Sequence, residues 1–231
     1  MIRTRDDDGV RVVTIDRPAS RNALRPDDLS ALRTAVAEAD APVTYLRGAG
    51  DAFCAGADLD VVAALDDPAE FARAGQHTAT AIADAETVVV CGIDGPARGG
   101  GVELALAADL RIATPAATFG EPGVEFGLFG AWGGTARLPR VMGEGEALDF
   151  ALSGRVLDAE AALRTGLVSR IVDDPRTVAD AVAEGAPDAL RVTKRRVRDR
   201  RDAEAQEAAE ASAFADLVEA HADDIAAMRG A

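Results

Sequence analysis

Two short runs of small residues are the places where this sequence could do chemistry. One is Phe53-Cys54-Ala55-Gly56-Ala57-Asp58-Leu59, and the other is Gly95-Pro96-Ala97-Arg98-Gly99-Gly100-Gly101-Val102-Glu103-Leu104-Ala105. Each follows the carboxyl end of a predicted strand, where α/β proteins hold ligands. Small side chains let the main chain approach a bound molecule closely. The second run also opens a helix, so its free N–H groups and dipole favour negative charge that develops nearby. The bland alternative is a pair of tight strand-to-helix turns. A nucleotide-phosphate loop is disfavoured, because the glycine triplet lacks Gly-x-Gly-x-x-Gly spacing and no Gly-Lys-Ser/Thr follows it.

Glu103 lies two residues past the triplet. Its neighbours Val102, Leu104, Ala105 and Leu106 are all apolar, which predicts a buried helix. A carboxylate there suits acid/base work. On a surface it would only favour the helix start, by at most about 1 kcal/mol. Cys54 reads as small-residue packing, His77 as a solvated helix residue, and His221 as lacking a partner. With two histidines and no clustered ligands, no metal site is expected.

The elements that must position these residues alternate strand and helix, which gives an α/β class with crossover connections. Strands are predicted at Val10–Asp16, Val43–Arg47, Thr87–Ile93, Leu110–Ala113 and Val168–Val172. Helices are predicted from Pro26 to about Ala39, from Pro68 to Ala85, from the triplet through Leu104 to Ala108, and around 135–142, 144–153 and 158–165. The near-continuous apolar run Val88-Val89-Val90-Cys91 reads as a strand covered on both faces. From Pro187 the chain is Ala- and Glu-rich helix with sparse apolar faces, suited to capping the core or a neighbouring subunit. The division expected is therefore a core of 1–186 and a helical region of 187–231.

Composition narrows the class. At 231 residues and 48% hydrophobic, one packed domain needs no staples. Two cysteines and a charged start predict a reduced, cytoplasmic protein without a secretory leader. The net charge of −15 excludes nucleic-acid binding, and no apolar stretch could span a bilayer. The acids are scattered, as at Asp6–Asp8, Asp66-Asp67 and Asp223-Asp224, and Lys194 is the sole lysine. That scatter predicts a surface adapted to high salt.

The residues then reach a resemblance. Arg17-Pro18 with Asn22-Ala23-Leu24, the two small-residue runs, Asp109, Phe119-Gly120-Glu121-Pro122, Gly133-Gly134-Thr135 with Arg137-Leu138, Leu152-Ser153-Gly154, Gly166-Leu167-Val168, and Ala189-Leu190 with Lys194 resemble the crotonase (enoyl-CoA hydratase/isomerase) superfamily in order. The resemblance covers nearly the whole chain. It implies a spiral of ββα units with a helical C-terminal trimerisation region, as a homotrimer or dimer of trimers. It implies an acyl-CoA thioester substrate, with coenzyme A as part of that substrate and no separate cofactor. By position, the N–H groups of Ala57 and Gly100 would hold the thioester oxygen, and Glu103 would be acid/base. Ala55, Asp58, Leu59 and Asp60 would line the substrate path, with Gly123 and Trp132 near the acyl group and Lys194 near the CoA phosphates.

One position departs from that pattern. Hydratases of the family use a second glutamate directly after Phe-Gly-x-Pro, and here Gly123 stands there. The later Pro-Gly is also replaced, by Ala131-Trp132. Three readings stay open: Glu103 works alone with a water in the space beside Gly123; Glu121 or Glu125 substitutes; or the enolate meets another fate, such as double-bond shift, decarboxylation or C–C cleavage. A CoA-binding partner protein without catalysis is the rival from another class. Trp132, Phe126 and Phe129 either line the acyl pocket or fill core.

Overall fold

A computed structural model describes residues 1–228. The chain forms two compact units, divided between Ala183 and Glu184.

The first unit begins with a hairpin. β1 (Ile2–Asp7) pairs antiparallel with β2 (Val10–Ile15). Asp8 and Gly9 between them have φ of 47° and 78°, the left-handed pair that a two-residue hairpin turn requires. α1 (Pro26–Ala37) buries Leu29, Leu32 and Val36. β3 (Val43–Gly48) and then α2 (Leu59–Val62) follow. α3 (Pro68–Asp84) starts where the Asp67 carboxylate accepts from Glu70 N–H at 2.9 Å, a helix cap. β4 (Val88–Ile93) is buried at every residue, as its apolar run predicts. Next come β5 (Pro96–Arg98), α4 (Gly100–Ala107), β6 (Leu110–Ala113) and β7 (Thr118–Gly120). α5 (Gly134–Met142), α6 (Glu144–Ser153), β8 (Leu157–Asp158), α7 (Ala159–Arg164), β9 (Arg170–Ile171) and α8 (Arg176–Ala183) complete the unit.

The main sheet runs β1-β2-β3-β4-β6-β9, parallel apart from β1. A smaller sheet has the order β5-β7-β8. α4 packs against both α3 and α5, so all eight of its residues are buried.

Three elements differ from the sequence reading. β1 is a charged edge strand, and such edges carry charge because it discourages pairing with another chain. The strand expected at 168–172 shrinks to Arg170–Ile171. The small sheet has strands of two or three residues, too short to show any periodicity.

The second unit holds α9 (Pro187–Val197), α10 (Ala203–Ala220) and α11 (Ala222–Met228). No residue of these helices is fully buried. Within the unit, His221 Nε2 lies 2.9 Å from an Asp188 carboxylate oxygen, which supplies the partner that the sequence did not reveal. No helix among the described residues is long and apolar enough to cross a membrane.

Candidate active site

The second small-residue run is a strand-to-helix turn with a special backbone. Gly99 has φ 48° and ψ −120°, a conformation that only glycine takes readily. Its N–H donates to Gly120 O at 2.9 Å, tying the start of α4 to the end of β7. Gly100 is the first residue of α4, so its N–H has no partner within the helix.

The first run is sewn to it. Cys54 and Ala97 form a parallel bridge, and Arg98 N–H donates to Cys54 O at 2.9 Å. Gly56 has φ 85°, and a β-carbon on it would stand 2.7 Å from Arg98 O and 2.8 Å from Gly100 N. A side chain at 56 would therefore press on the Gly100 N–H. From the other side, Leu24 N–H donates to Gly56 O at 2.8 Å and Asp58 N–H to Leu24 O at 3.0 Å. Neither Ala57 N–H nor Gly100 N–H donates to a protein acceptor among the described residues.

Asn22 is the hidden support of this run. It is fully buried, and φ 60° places it in the left-handed region that asparagine tolerates best among larger residues. Its Oδ1 accepts from Arg17 N–H at 2.9 Å, and its Nδ2 donates to Ala49 O and Ala52 O at 2.9 and 2.7 Å. Cys54 is buried, with its thiol pushed up to about 12 by burial, a packing residue and no nucleophile at neutral pH.

Glu103 is 1% exposed. One carboxylate oxygen, Oε1, accepts from Trp132 N–H at 2.8 Å and from Gly134 N–H at 2.6 Å. Gly134 opens α5, so both donors belong to the positive end of that helix. Burial raises the proton affinity of Glu103, while those two N–H groups and the Arg137 charge pull it back. β-Carbons on Gly130 and Gly134 would stand 2.9 and 2.8 Å from the carboxyl group, so those glycines make room for it.

Trp132 takes the place of the expected Pro-Gly without opening the fold. It is 4% exposed and meets Phe71 edge-on, with ring centroids 5.7 Å apart and planes at 80°. Any β-carbon on Gly75 or Gly100 would run into its indole. Gly75, on α3, is a site residue that the sequence reading missed. Trp132 is thus both core and cavity wall.

These groups surround one cavity of about 290 Å³. Ala55, Ala57, Gly100, Glu103, Glu121 and Gly123 all line it. Val62, Leu65, Phe71 and Trp132 make its walls apolar, and Leu59, Phe126 and Phe129 stand exposed at its rim. Asp58 and Asp60 do not line it. The Asp58 carboxylate instead pairs with Arg17 Nη1 at 3.1 Å, bracing the first run. His77 is an exposed residue of α3. Lys194 belongs to the second unit.

The segment around Gly123 bears on the readings left open. A β-carbon on Gly123 would stand 3.0 Å from both Leu128 O and Phe129 Cα, and Leu128 N–H donates to Gly123 O at 2.8 Å. The chain has folded back over the place where a side chain would project. Glu125 is exposed, with Oε1 beside Gly154. Glu121 is buried at 5% exposure and faces the cavity lining. Its Oε1 has no hydrogen-bond partner. Burial, then the neighbouring charge of Glu103, pushes its carboxyl up to about 8.

With the geometry in hand, comparison with known proteins is direct. The family model described as enoyl-CoA hydratase/isomerase matches residues 5–226. A probable enoyl-CoA hydratase of Mycobacterium tuberculosis is 37% identical over 183 residues, covering 77% of this chain and 71% of that protein. A crotonyl-CoA hydratase of Syntrophomonas wolfei is 40% identical over 168 residues, 70% of this chain and 65% of its own. The crystal structure of a putative enoyl-CoA hydratase from Streptomyces coelicolor superposes with a TM-score of 0.92 at 31% identity, over 99% of this chain and 91% of that one. The mixed α/β architecture is that of the crotonase fold, and the chain belongs to the enoyl-CoA hydratase/isomerase family.

Proposed function

We propose that this enzyme hydrates 2-enoyl-CoA thioesters. The observation that carries the reading is the placement of Glu103. Its carboxylate, with one oxygen tied by two N–H groups, lines the same cavity as the unpartnered N–H groups of Ala57 and Gly100. In this reading the thioester oxygen sits between Ala57 and Gly100. Glu103 takes a proton from water while the water oxygen bonds to Cβ. The C=C electron pair moves towards the thioester, and the resulting enolate oxygen is held by the two N–H groups. Losing one such donor typically costs about 3 to 4 kcal/mol of transition-state stabilisation. Ala55, Leu59, Gly123 and Trp132 contact the substrate. The backbone about Asp58 and Asp60 leads towards the CoA end.

The rest of the assignment follows the family: an acyl-CoA thioester as the ligand, no separate cofactor, a homotrimer or a dimer of trimers, and a cytoplasmic location. The scattered acidic surface supports adaptation to a salty cytoplasm. Loss of the enoyl-thioester absorbance of crotonyl-CoA tests the reading. The wild type should turn it over, and Glu103→Gln, folded, should lose about 10²- to 10⁴-fold. A Glu103→Gln variant at the wild-type rate would remove the assignment. Tight CoA binding with no turnover of any acyl-CoA would leave a binding protein in its place.

A further inference from the structure

We infer that Glu121 is a catalytic residue, the acid that gives its proton to Cα and so takes over the task of the acid absent at Gly123. The inference rests on the hydration reading and deepens it.

Hydration needs two proton transfers. Water must lose one as its oxygen bonds to Cβ, and the enolate must gain one at Cα. Glu103 accounts for the first. For the second, the cavity offers a carboxyl group that no fold requirement explains. Glu121 is 5% exposed and Oε1 has no partner. A buried polar group left unpaired costs on the order of 1 to 3 kcal/mol, so a structural role is a poor account of it.

Its position is fixed relative to the proposed oxygen site. Gly120, the preceding residue, accepts the Gly99 N–H at 2.9 Å, and Gly99 precedes Gly100. The acid and the Gly100 N–H are therefore each one residue from the same hydrogen bond. The alternatives within this loop are closed. Leu128 and Phe129 cover the direction of a side chain at Gly123, and Glu125 lies beside Gly154.

The two carboxyl groups are set up for opposite tasks. Glu103 receives two N–H donors, which favour its ionised form; the buried Oε1 of Glu121 receives none among the described residues. The charged groups about Glu121 are few. Glu103 on α4 disfavours a second negative charge. Arg98 on β5 has its guanidinium engaged by Ala97 O and by Thr118. Buried pairs pushed apart in this way divide into base and acid.

The step balances. As the enolate collapses to the thioester, its electron pair forms the Cα–H bond with the Glu121 proton, and Glu121 is left as carboxylate. Glu103 is left protonated, and a proton passed between the two through solvent restores the starting state.

Glu121→Gln tests this, with folding checked by circular dichroism and Glu121→Ala as a second variant that buries no amide. Expected with crotonyl-CoA is a fall in kcat of about 10²- to 10⁴-fold, little change in KM, and disappearance of the alkaline limb of the wild-type pH profile near pH 8. A kcat within about threefold of wild type, or an alkaline limb that survives, would overturn the role. A second readout separates this outcome from failure of the hydration reading: deuterium exchange at Cα of butyryl-CoA in D2O. Exchange by the wild type that is lost in Glu121→Gln upholds Glu121 even if no enoyl-CoA is hydrated. Exchange that persists in the variant overturns Glu121 alone, and a wild type that neither hydrates nor exchanges overturns both.

Discussion

Glu103 and Glu121 share one cavity and nearly the same depth, at 1% and 5% exposure, yet their surroundings are opposed. Glu103 is clasped by Trp132 N–H and Gly134 N–H, with Gly130 and Gly134 making room. Glu121 Oε1 has no donor among the described residues. Depth alone raises the proton affinity of both. The two N–H donors pull the affinity of Glu103 back, whereas the neighbouring charge of Glu103 raises that of Glu121 further. Two acids of one residue type thereby meet different electrostatic surroundings through backbone geometry.

The strongest way to break this contrast is to spoil the clasp. Gly134→Ala puts a methyl 2.8 Å from Glu103 Oε1 at a helix position that alanine tolerates. We expect kcat for crotonyl-CoA to fall by about 10²- to 10⁴-fold, with the acidic limb of the pH profile moved upward, as a steady-state pH series would show. Next in size is Gly56→Ala. A β-carbon 2.8 Å from Gly100 N, at φ 85°, should remove about 3 to 4 kcal/mol of transition-state stabilisation and also lower the Tm. A Gly56→Ala enzyme with unchanged kcat would mean that Gly100 N–H is not used.

Stability gives a third test. Unfolded, Glu121 titrates near its ordinary value of 4.5; folded, it holds its proton up to about 8. Between those values the native state binds more protons, so wild-type stability falls as pH rises and levels off above about 8. Glu121→Gln lacks this loss. Its Tm advantage over the wild type should grow across that window, to at most a few kcal/mol in stability. Equal pH dependence of the two melting curves would show that Glu121 is not buried as an acid.

Smaller effects belong to the rim and surface. Phe129→Ala, at a residue 68% exposed, should change KM for longer acyl chains severalfold and leave the Tm within about a degree or two. Thermal melts against KCl should show stability rising with salt, since the net charge of −15 repels itself; a flat response would end the proposal of salt adaptation.

Much of this was legible in the sequence. The apolar flanks of Glu103 foretold burial, and the small-residue runs foretold close backbone approach. The Asp8-Gly9 turn was also readable as a hairpin signal, but the charged residues of β1 hid it. Other features depend on distant parts of the chain. Trp132 fits because Gly75 and Gly100 have no side chains. The standing of Gly123 depends on Leu128 and Phe129 folding back over it. His221 finds Asp188 across 33 positions of chain. Local pattern cannot report such meetings, which are made by tertiary packing.

The hydrogen bond from Gly99 to Gly120 has one more consequence. It acts as a ruler. Because it extends the β5–β7 ladder, which ends at Arg98 and Gly120, the turn that presents Gly100 and the turn that presents Glu121 both leave from one shared rung. The segment after Pro122 can then close over Gly123, as Leu128 and Phe129 do, without moving that rung.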